Sequence, residues 1–409
     1  MSPVGSYESL MAAIQGGAGS VYFGVGSLNM RSRSTQNFDV QDLKNIASIC
    51  TSHGIRSYLT LNTIIYDQEL DEMRRLVDAA KEAGISAIIA SDPSVLLYAQ
   101  AAGTEIHIST QCNVTNIEAV KWYSRFADVM VLSRELNLSQ IKHISQEIEN
   151  QNICGPSGKP VQIEVFVHGA LCMAISGKCY LSLHTMNSSA NRGACLQPCR
   201  RAYEVTDKET GVALEIDNEY IMSPKDLCTI DILDQILDAG ATVLKIEGRG
   251  RSPEYVKTVT SVYQEAVKAI KEGNYTRNQV DGWLQRLKTV YNRGFWEGYY
   301  LGRKLGEWSS VYGSQATLRK QYLGKVTNYY SKLGVAEVKV ETGDLHTGMQ
   351  YSINGPTTGV VEGIVDEVRL AYDPVAVAPK RSICSFKVSA PVRKGDKVFI
   401  LVDTNVRGL

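Results

Sequence analysis

Short runs of β-branched and aromatic residues alternate with amphipathic segments along the first part of the chain. The amphipathic segments, such as DLKNIASICTSHG and DEMRRLVDAAKEAG, place apolar residues at helical spacing and end at a glycine. Eight β-like runs occur up to Glu247, namely SVYFGV, SYLTLN, AIIAS, EIHIS, DVMVLS, QIEVFVH, EYIMS and TVLKIE. This repetition predicts an α/β fold with a parallel sheet, arranged as a TIM-like (β/α)8 barrel. A doubly wound open sheet is the alternative, because SPVG at the start is a candidate for another strand and the run at Ile221 follows a long excursion.

The pattern changes to period two from Tyr322 onward. The runs YLGKVTNYY, GVAEVKVE, MQYSING, VVEGIVDEVRL, ICSFKVS and DKVFILVD predict a small antiparallel β-barrel. We therefore expect a barrel domain over 1–275 with a cysteine-rich insertion at 168–228, a helical and aromatic linker at 276–318, and a β-barrel domain over 319–409. The linker aromatics are expected to pack under a loop, with stacking on RNA bases as the alternative; they are Phe295, Trp296, Tyr299 and Tyr300.

Composition and charge narrow the class of protein. The chain has 409 residues, of which 44% are hydrophobic and 21% charged, as in proteins with a large core. It has no apolar run near the ~20 residues that a bilayer crossing requires, and polar and small residues follow Met1, so a cytoplasmic protein with no membrane partner is predicted. Net charge is zero, yet from Val311 onward 13 Lys and Arg stand against 9 Asp and Glu. That surplus weakly favours a surface that faces RNA.

Four of the nine cysteines lie within 28 residues, at Cys172, Cys179, Cys195 and Cys199. Cys228 is a candidate fifth member. A disulfide framework is disfavoured by the odd cysteine count and by the absence of a secretory leader pattern. Structural zinc fits four thiolates, but the spacing C-x6-C-x15-C-x3-C lacks the usual C-x2-C pairs. An iron–sulfur cluster tolerates irregular spacing and is the preferred interpretation; Cys50, Cys112, Cys154 and Cys384 are expected to be inert.

Polar residues fall where the predicted strands end, which is the edge of a barrel that carries chemistry. Those singled out as catalytic candidates are Arg31, Arg134, His168, Glu247 and Arg249. Others at strand ends are Asn29, Thr60, Asn62, His107, Ser109, Gln111 and Lys225. For any single one, a structural role as a cap or an ion pair is an equal alternative.

Several blocks of the sequence resemble one known family. The stretch E-x-F-x-x-G-A-L-C-x-x-x-S-G-x-C-x-L-S, from Glu164 to Ser182, resembles the signature of the peptidase U32 family. NRGACLQPCR, MSPKDLC and KIEGRGRSPEYV are similar to its following blocks, and SVYFGVGSLNMRSRSTQNF, SYLTLNT and HISTQCNVTN to its N-terminal half. The segment L-x-x-G-x-x-Y-x-I-x-G-P is similar to the second, β-barrel domain of translation factors.

The resemblance implies oxygen-independent hydroxylation by an iron–sulfur protein. The family's substrates are a wobble uridine of transfer RNA, which gives 5-hydroxyuridine, a ribosomal RNA cytidine, or a quinone ring. Prephenate is the implied hydroxyl donor in the RNA branches. The extra C-terminal domain makes the chain most similar to the transfer RNA branch. The implied partners are then transfer RNA, a small dicarboxylate co-substrate and an electron donor protein.

This resemblance assigns roles to the residues already named. A 4Fe–4S cluster is expected on Cys172, Cys179 and Cys195, with Cys199 as the fourth ligand and Cys228 as its rival. Prephenate has two carboxylates, which planar guanidinium groups bind bidentately. The arginines that are candidates for this binding are Arg31, Arg33, Arg134, Arg192 and Arg249.

Two other functions compete with hydroxylation. The first is a collagenase-like peptidase, as the family's name states, although the sequence has no H-E-x-x-H and no G-x-S-x-G. The second is an RNA-binding or assembly protein with a structural metal.

Overall fold

The computed structural model describes residues 1–33, 37–203, 206, 208–211, 222–302, 306–310 and 313–404. The helices are α1 (Tyr7–Gln15), α2 (Leu43–Ser52), α3 (Leu70–Glu82), α4 (Pro93–Ala101), α5 (Ile117–Tyr123), α6 (Leu138–Asn150), α7 (Leu181–Met186), α8 (Leu233–Asp238), α9 (Pro253–Lys271) and α10 (Arg277–Thr289). The strands of the first sheet are β1 (Ser2–Pro3), β2 (Ser20–Gly24), β3 (Arg56–Leu61), β4 (Ala87–Ala90), β5 (Ile106–Ile108), β6 (Val129–Val131), β7 (Gln162–Gly169), β8 (Asp226–Cys228), β9 (Ala241–Ile246) and β10 (Phe295–Trp296). Single-turn 3-10 helices lie at Val40–Asp42, Asp67–Glu69, Thr110–Cys112, Ala190–Arg192 and Pro198–Arg200.

The first sheet is mainly parallel, as predicted. Strands β1 to β7 pair in chain order, and β9 then pairs parallel with β7. The amide of Ile246 in β9 donates to the carbonyl of Met1 at 3.1 Å, which joins the last parallel strand to the first. This bond supports the barrel, whose full closure stays a prediction.

The strands that make up the first sheet differ in part from the runs that were predicted as strands. SPVG does form a strand, β1, although only two of its residues pair. Of the run EYIMS, residues 219–221 lie outside the described residues. The short strand that follows, β8, runs antiparallel to β7, with Cys228 opposite His168.

The helices cover the sheet with amphipathic faces. In α3 the buried residues are Met73, Leu76, Val77 and Ala80, one face at helical spacing. Helix α6 begins at a capping box, in which Asn137 accepts from the amide of Gln140. None of the helices in the described part of the chain has the length and apolar character needed to cross a bilayer.

The C-terminal region forms a separate antiparallel sheet with a second core. Its strands are β11 (Leu318–Tyr330), β12 (Val335–Val340), β14 (Gln350–Gly355), β15 (Gly359–Ile364), β16 (Val368–Leu370), β17 (Asp373–Val375), β19 (Ile383–Lys387) and β20 (Lys397–Asp403). They are ordered β15-β14-β20-β11-β12-β19-β16-β17, and β13 (Leu345–His346) pairs with β18 (Val377–Ala378). The predicted antiparallel sheet is therefore confirmed.

The two regions pack closely against each other. The Gln15 side chain, at the end of α1, donates to the carbonyl of Thr358 at 2.8 Å and accepts from the amide of Val360 at 3.0 Å. Val360 belongs to the core of the first region. Glu254 of α9 accepts from Lys320 at 2.7 Å and is only 8% exposed. Removal of the C-terminal region would therefore uncover part of α1 and α9.

Candidate functional site

A cavity of about 260 Å³ lies at the carboxyl ends of the parallel strands. The cysteine-rich segment that follows β7 forms its other wall. The predicted strand-end residues that line it are Arg31, Thr60, Asn62, Ser109, Gln111, Arg134, Glu247 and Arg249. Because strand ends of a parallel sheet meet at one edge, residues far apart in sequence share this cavity.

Basic side chains dominate the cavity. Among the described residues that line the cavity, Glu247 is the single acidic one. It accepts a hydrogen bond from Arg31 at 2.6 Å. Burial would raise the pKa of Glu247, but Arg31 and Arg134 outweigh burial and lower it. The carboxylate is thus ionised at neutral pH, yet it offsets only one of several guanidinium groups. A cavity with this surplus of positive charge suits an anion.

Arg249 is the most distinctive of these basic groups. Its side chain is buried, with 7% of the residue exposed. Its Nη1 donates to Oδ1 of Asn29 at 3.0 Å and to Oγ1 of Thr60 at 2.7 Å, and both acceptors are neutral. Burial lowers the pKa of Arg249 to about 10. A buried guanidinium held by neutral groups is costly unless an anion binds beside it.

Arg134 and Lys245 complete the inner surface. Arg134 lies over the ring of Phe166, 3.8 Å from its centroid, and Nη1 donates to the carbonyl of Ala170 at 3.2 Å. Lys245 donates to Glu164 at 2.6 Å, and both residues are buried. The charge of Lys245 is therefore balanced by the Glu164 carboxylate. Arg134, in contrast, has no hydrogen bond to a carboxylate among the described residues.

The four clustered cysteines line this same cavity: Cys172, Cys179, Cys195 and Cys199. All are free thiols; Cys172 is exposed and the other three are half-buried. Burial raises the pKa of Cys199, the other three cysteines raise it further, and Arg200 opposes them. Gly193, at φ +75°, lets the loop approach the backbone of Asn29, where a Cβ atom would lie 2.2 Å from the carbonyl oxygen.

The four cysteines can be compared with the ligand set of the predicted iron–sulfur cluster. Within the described residues, no three His, Cys, Asp or Glu side chains lie close enough to hold one metal ion. A four-iron cluster holds its thiolates further apart than one ion does, and it uses four cysteines. Four thiols around one cavity supply the number of ligands that such a cluster would need.

His168 and Cys228 are not brought to the cavity. His168 is buried among Tyr255, Tyr263 and Phe295, and burial lowers its pKa to about 3, with Arg251 adding to the effect. Cys228 is 5% exposed, and burial raises its pKa to about 12. Neither belongs to the cavity lining. Cys199 therefore shares the cavity with the other three clustered cysteines, Cys228 does not, and His168 packs against aromatic rings.

Comparison with known proteins agrees with the sequence blocks. The sequence model described as peptidase family U32 matches residues 5–310. The chain belongs to this family.

The names of the relatives in this family refer to different activities. The chain is 56% identical to a protein of Porphyromonas gingivalis named "Collagenase", over 98% of this chain and 96% of that one. It is 31% identical to "tRNA hydroxylation protein P1" of Bacillus subtilis, over 80% of this chain and 77% of that one. It is 34% identical to "23S rRNA 5-hydroxycytidine C2501 synthase" of Escherichia coli, over 66% of this chain and 39% of that one.

Two of the arginines proposed from the sequence lie outside the cavity, and several basic residues in it were not singled out. The Arg192 guanidinium lies 4.2 Å from the ring centroid of Tyr66 and pairs with Glu69, and Arg33 is exposed; neither lines the cavity. The basic residues that do line it and were not singled out are Lys245, Arg200, Arg251 and Arg293. Lys245 has a signal, because it lies in β9 two residues before Glu247, the residue that follows this strand, and alternate residues of extended chain point to one side.

Proposed function

We propose that this chain is an iron–sulfur protein that hydroxylates a uridine of transfer RNA without dioxygen, with a small dicarboxylate such as prephenate as hydroxyl donor. The observation that carries the proposal is that four thiols and several guanidinium groups share one cavity. Thiols alone would fit many metal proteins, and guanidinium groups alone would fit many anion sites. Together they provide for a redox centre beside a carboxylated ligand.

The cluster would be held by Cys172, Cys179, Cys195 and Cys199 and would supply one-electron redox chemistry that no side chain here provides. Replacing a ring C–H by C–OH removes two electrons from the base. If the oxygen comes from an alcohol carbon of the donor that ends as C–H, that carbon takes up both electrons and no other acceptor is needed. If the oxygen comes from water, the partner redox protein must take up the two electrons.

The donor would bind at the strand ends. Arg249 and Arg134 carry charges that no described hydrogen bond to a carboxylate offsets, so each suits one carboxylate of the donor. Arg31 is paired with Glu247, which fixes its orientation. The role of Glu247 would be to hold that guanidinium and to stop a third anionic group from binding.

A peptidase remains the second candidate, because relatives named collagenase are the more similar in sequence. The site offers it little chemistry. His168 has a pKa of about 3, lies outside the cavity lining and contacts aromatic rings rather than a thiol, so it is poorly placed to activate Cys172 as a nucleophile.

Anaerobic purification tests the proposal. We expect a brown protein with iron and sulfide bound, and sharp loss of both in Cys172→Ala, Cys179→Ala, Cys195→Ala and Cys199→Ala. Cys228→Ala, a buried cysteine outside the cavity, is the matched control and should keep its iron. Full iron in all five variants would refute the cluster assignment, and hydrolysis of a collagen peptide by the colourless protein would favour the peptidase.

A further inference from the structure

A second, smaller cavity adjoins the larger one along the cysteine loop. Its volume is about 40 Å³. It is lined by three aromatic residues, Trp296, Tyr299 and Trp308, and by Leu171 to Ala174. Arg134 and Cys172 line both this cavity and the larger one. A ligand in the smaller cavity would therefore lie beside the proposed cluster and donor site.

The three aromatic side chains converge at Gly306. A Cβ atom there would lie 3.5 Å from the hydroxyl of Tyr299, 3.6 Å from the ring of Trp296 and 3.7 Å from the ring of Trp308. Trp296 is fixed, because it is 4% exposed and its Nε1 donates to the carbonyl of Lys225 at 3.2 Å. Trp308 and Tyr299 are half-buried. A Cβ atom at Gly306 would thus just touch all three aromatic side chains, and a larger side chain there would extend into the space beside them.

The size of the cavity restricts the ligand. A cavity needs roughly 10–15 Å³ of space for the centre of a water molecule to hold one water, whose share of liquid volume is about 30 Å³. The smaller cavity therefore holds about three waters, which corresponds to roughly 90 Å³ of liquid. That is on the order of one six-membered ring. A pyrimidine fits, whereas a purine has a second ring.

Polar groups at the edge of the cavity match a pyrimidine. The buried Nε of Arg134 has no hydrogen-bond partner among the described residues, and it can donate to a ring carbonyl. Glu135 and Asn113 also line the cavity. The Glu135 carboxylate can accept from a ring N–H, and the Asn113 amide can do either.

We propose that this cavity binds the unstacked pyrimidine of the RNA substrate, with Trp308 as its stacking surface. The inference rests on the proposed function, since it supplies the place of the base to be hydroxylated. RNA-modifying sites require an unstacked base, and stacking on an aromatic ring supplies binding that does not depend on phosphates. An RNA ligand is favoured over a peptide by the basic side chains that continue from this cavity into the larger one.

The test measures the affinity of the anaerobically purified full chain for two RNA hairpins. One has a single uridine among adenosines in its loop, and the other has an abasic residue in its place. We expect the wild-type protein to prefer the uridine hairpin by about tenfold, the scale of one stacked base. Trp308→Ala removes the stacking surface and Gly306→Leu fills the cavity, so both should lose this preference with the salt dependence of binding unchanged.

Two control variants separate stacking from general effects. Trp308→Phe keeps a flat ring and should retain the preference. Trp122→Ala removes a tryptophan that is 58% exposed on α5 and lines neither cavity, so it should also retain the preference. If Trp308→Ala and Gly306→Leu both keep the preference, the base binds elsewhere and this inference is wrong while the proposed function stands. If the wild-type protein binds neither hairpin, the proposed function fails and this inference with it.

Discussion

Gly24 offers a way to displace Arg249 without changing any charge. A Cβ atom at Gly24, the last residue of β2, would lie 2.6 Å from Nη1 of Arg249 and 2.7 Å from the side chain of Asn29. Gly24→Ala therefore forces the guanidinium to retreat by about 0.8 Å to reach the 3.4 Å of ordinary contact. The contacted atoms are the ends of flexible side chains, so we expect the chain to fold.

The expected change in affinity for the dicarboxylate can be estimated from the hydrogen bonds that involve Arg249. Arg249 would lose its 2.7 Å bond to Thr60 and its 3.0 Å bond to Asn29. A hydrogen bond to a charged group contributes about 1.5–3 kcal/mol. If one such bond to the donor's carboxylate is lost through the misplacement, the Kd for the dicarboxylate rises by about 10- to 100-fold.

Isothermal titration calorimetry with prephenate, under anaerobic conditions, measures this change. The iron content should be unchanged, because Gly24 touches no cysteine. Gly19→Ala is the matched control, since a Cβ atom there meets nothing within 4 Å and its Kd should equal that of the wild type. Equal affinity in the Gly24→Ala and Gly19→Ala variants would show that Arg249 does not bind the donor.

Three further predictions concern Glu247, Glu254 and the C-terminal region. Glu247→Gln removes the acidic residue of the larger cavity, so prephenate should bind several-fold more tightly; weaker binding in the calorimeter would contradict the anion site. Burial would raise the pKa of Glu254, but Lys320 and Asn354 lower it, so its contribution to stability is present above its ordinary pKa of 4.5 and is lost as the pH falls through the lower folded value. Glu254→Gln should cost about 1–3 kcal/mol in urea unfolding at pH 7 and nothing in acid; a cost independent of pH would exclude the ion pair. Deletion of residues 320–409 should give aggregated protein because α1 and α9 lose cover, and a monodisperse fragment in size-exclusion chromatography would refute this.

The sequence predicted the site residues that lie at strand ends but not those that reach the site from loops. Arg31, Thr60 and Arg249 were found because each lies at or after the end of a predicted strand, and strand ends of a parallel sheet meet. Arg293 was not found, because it comes from a loop whose place only tertiary packing decides. His168 was assigned to the site from its position at a strand end, directly before the cysteines. The pairing of β7 with β9 shifts register between Phe166 and His168, and His168 is buried outside the cavity.

One part of the fold had only a weak signal in the sequence, and another had none. SPVG was a candidate strand, and it forms β1, in which only two residues pair within the parallel sheet. The tight packing of Gln15 on Thr358 and Val360 joins residues more than 300 positions apart, and no local pattern predicts such a contact.

The most direct test of hydroxylation is mass spectrometry of nucleosides from digested transfer RNA. A strain that lacks this gene, and has no compensating relative, should lose the nucleosides derived from 5-hydroxyuridine. Expression of the wild-type chain should restore them, whereas expression of Cys172→Ala should not. An unaltered transfer RNA nucleoside profile in the deletion strain would contradict the proposed function.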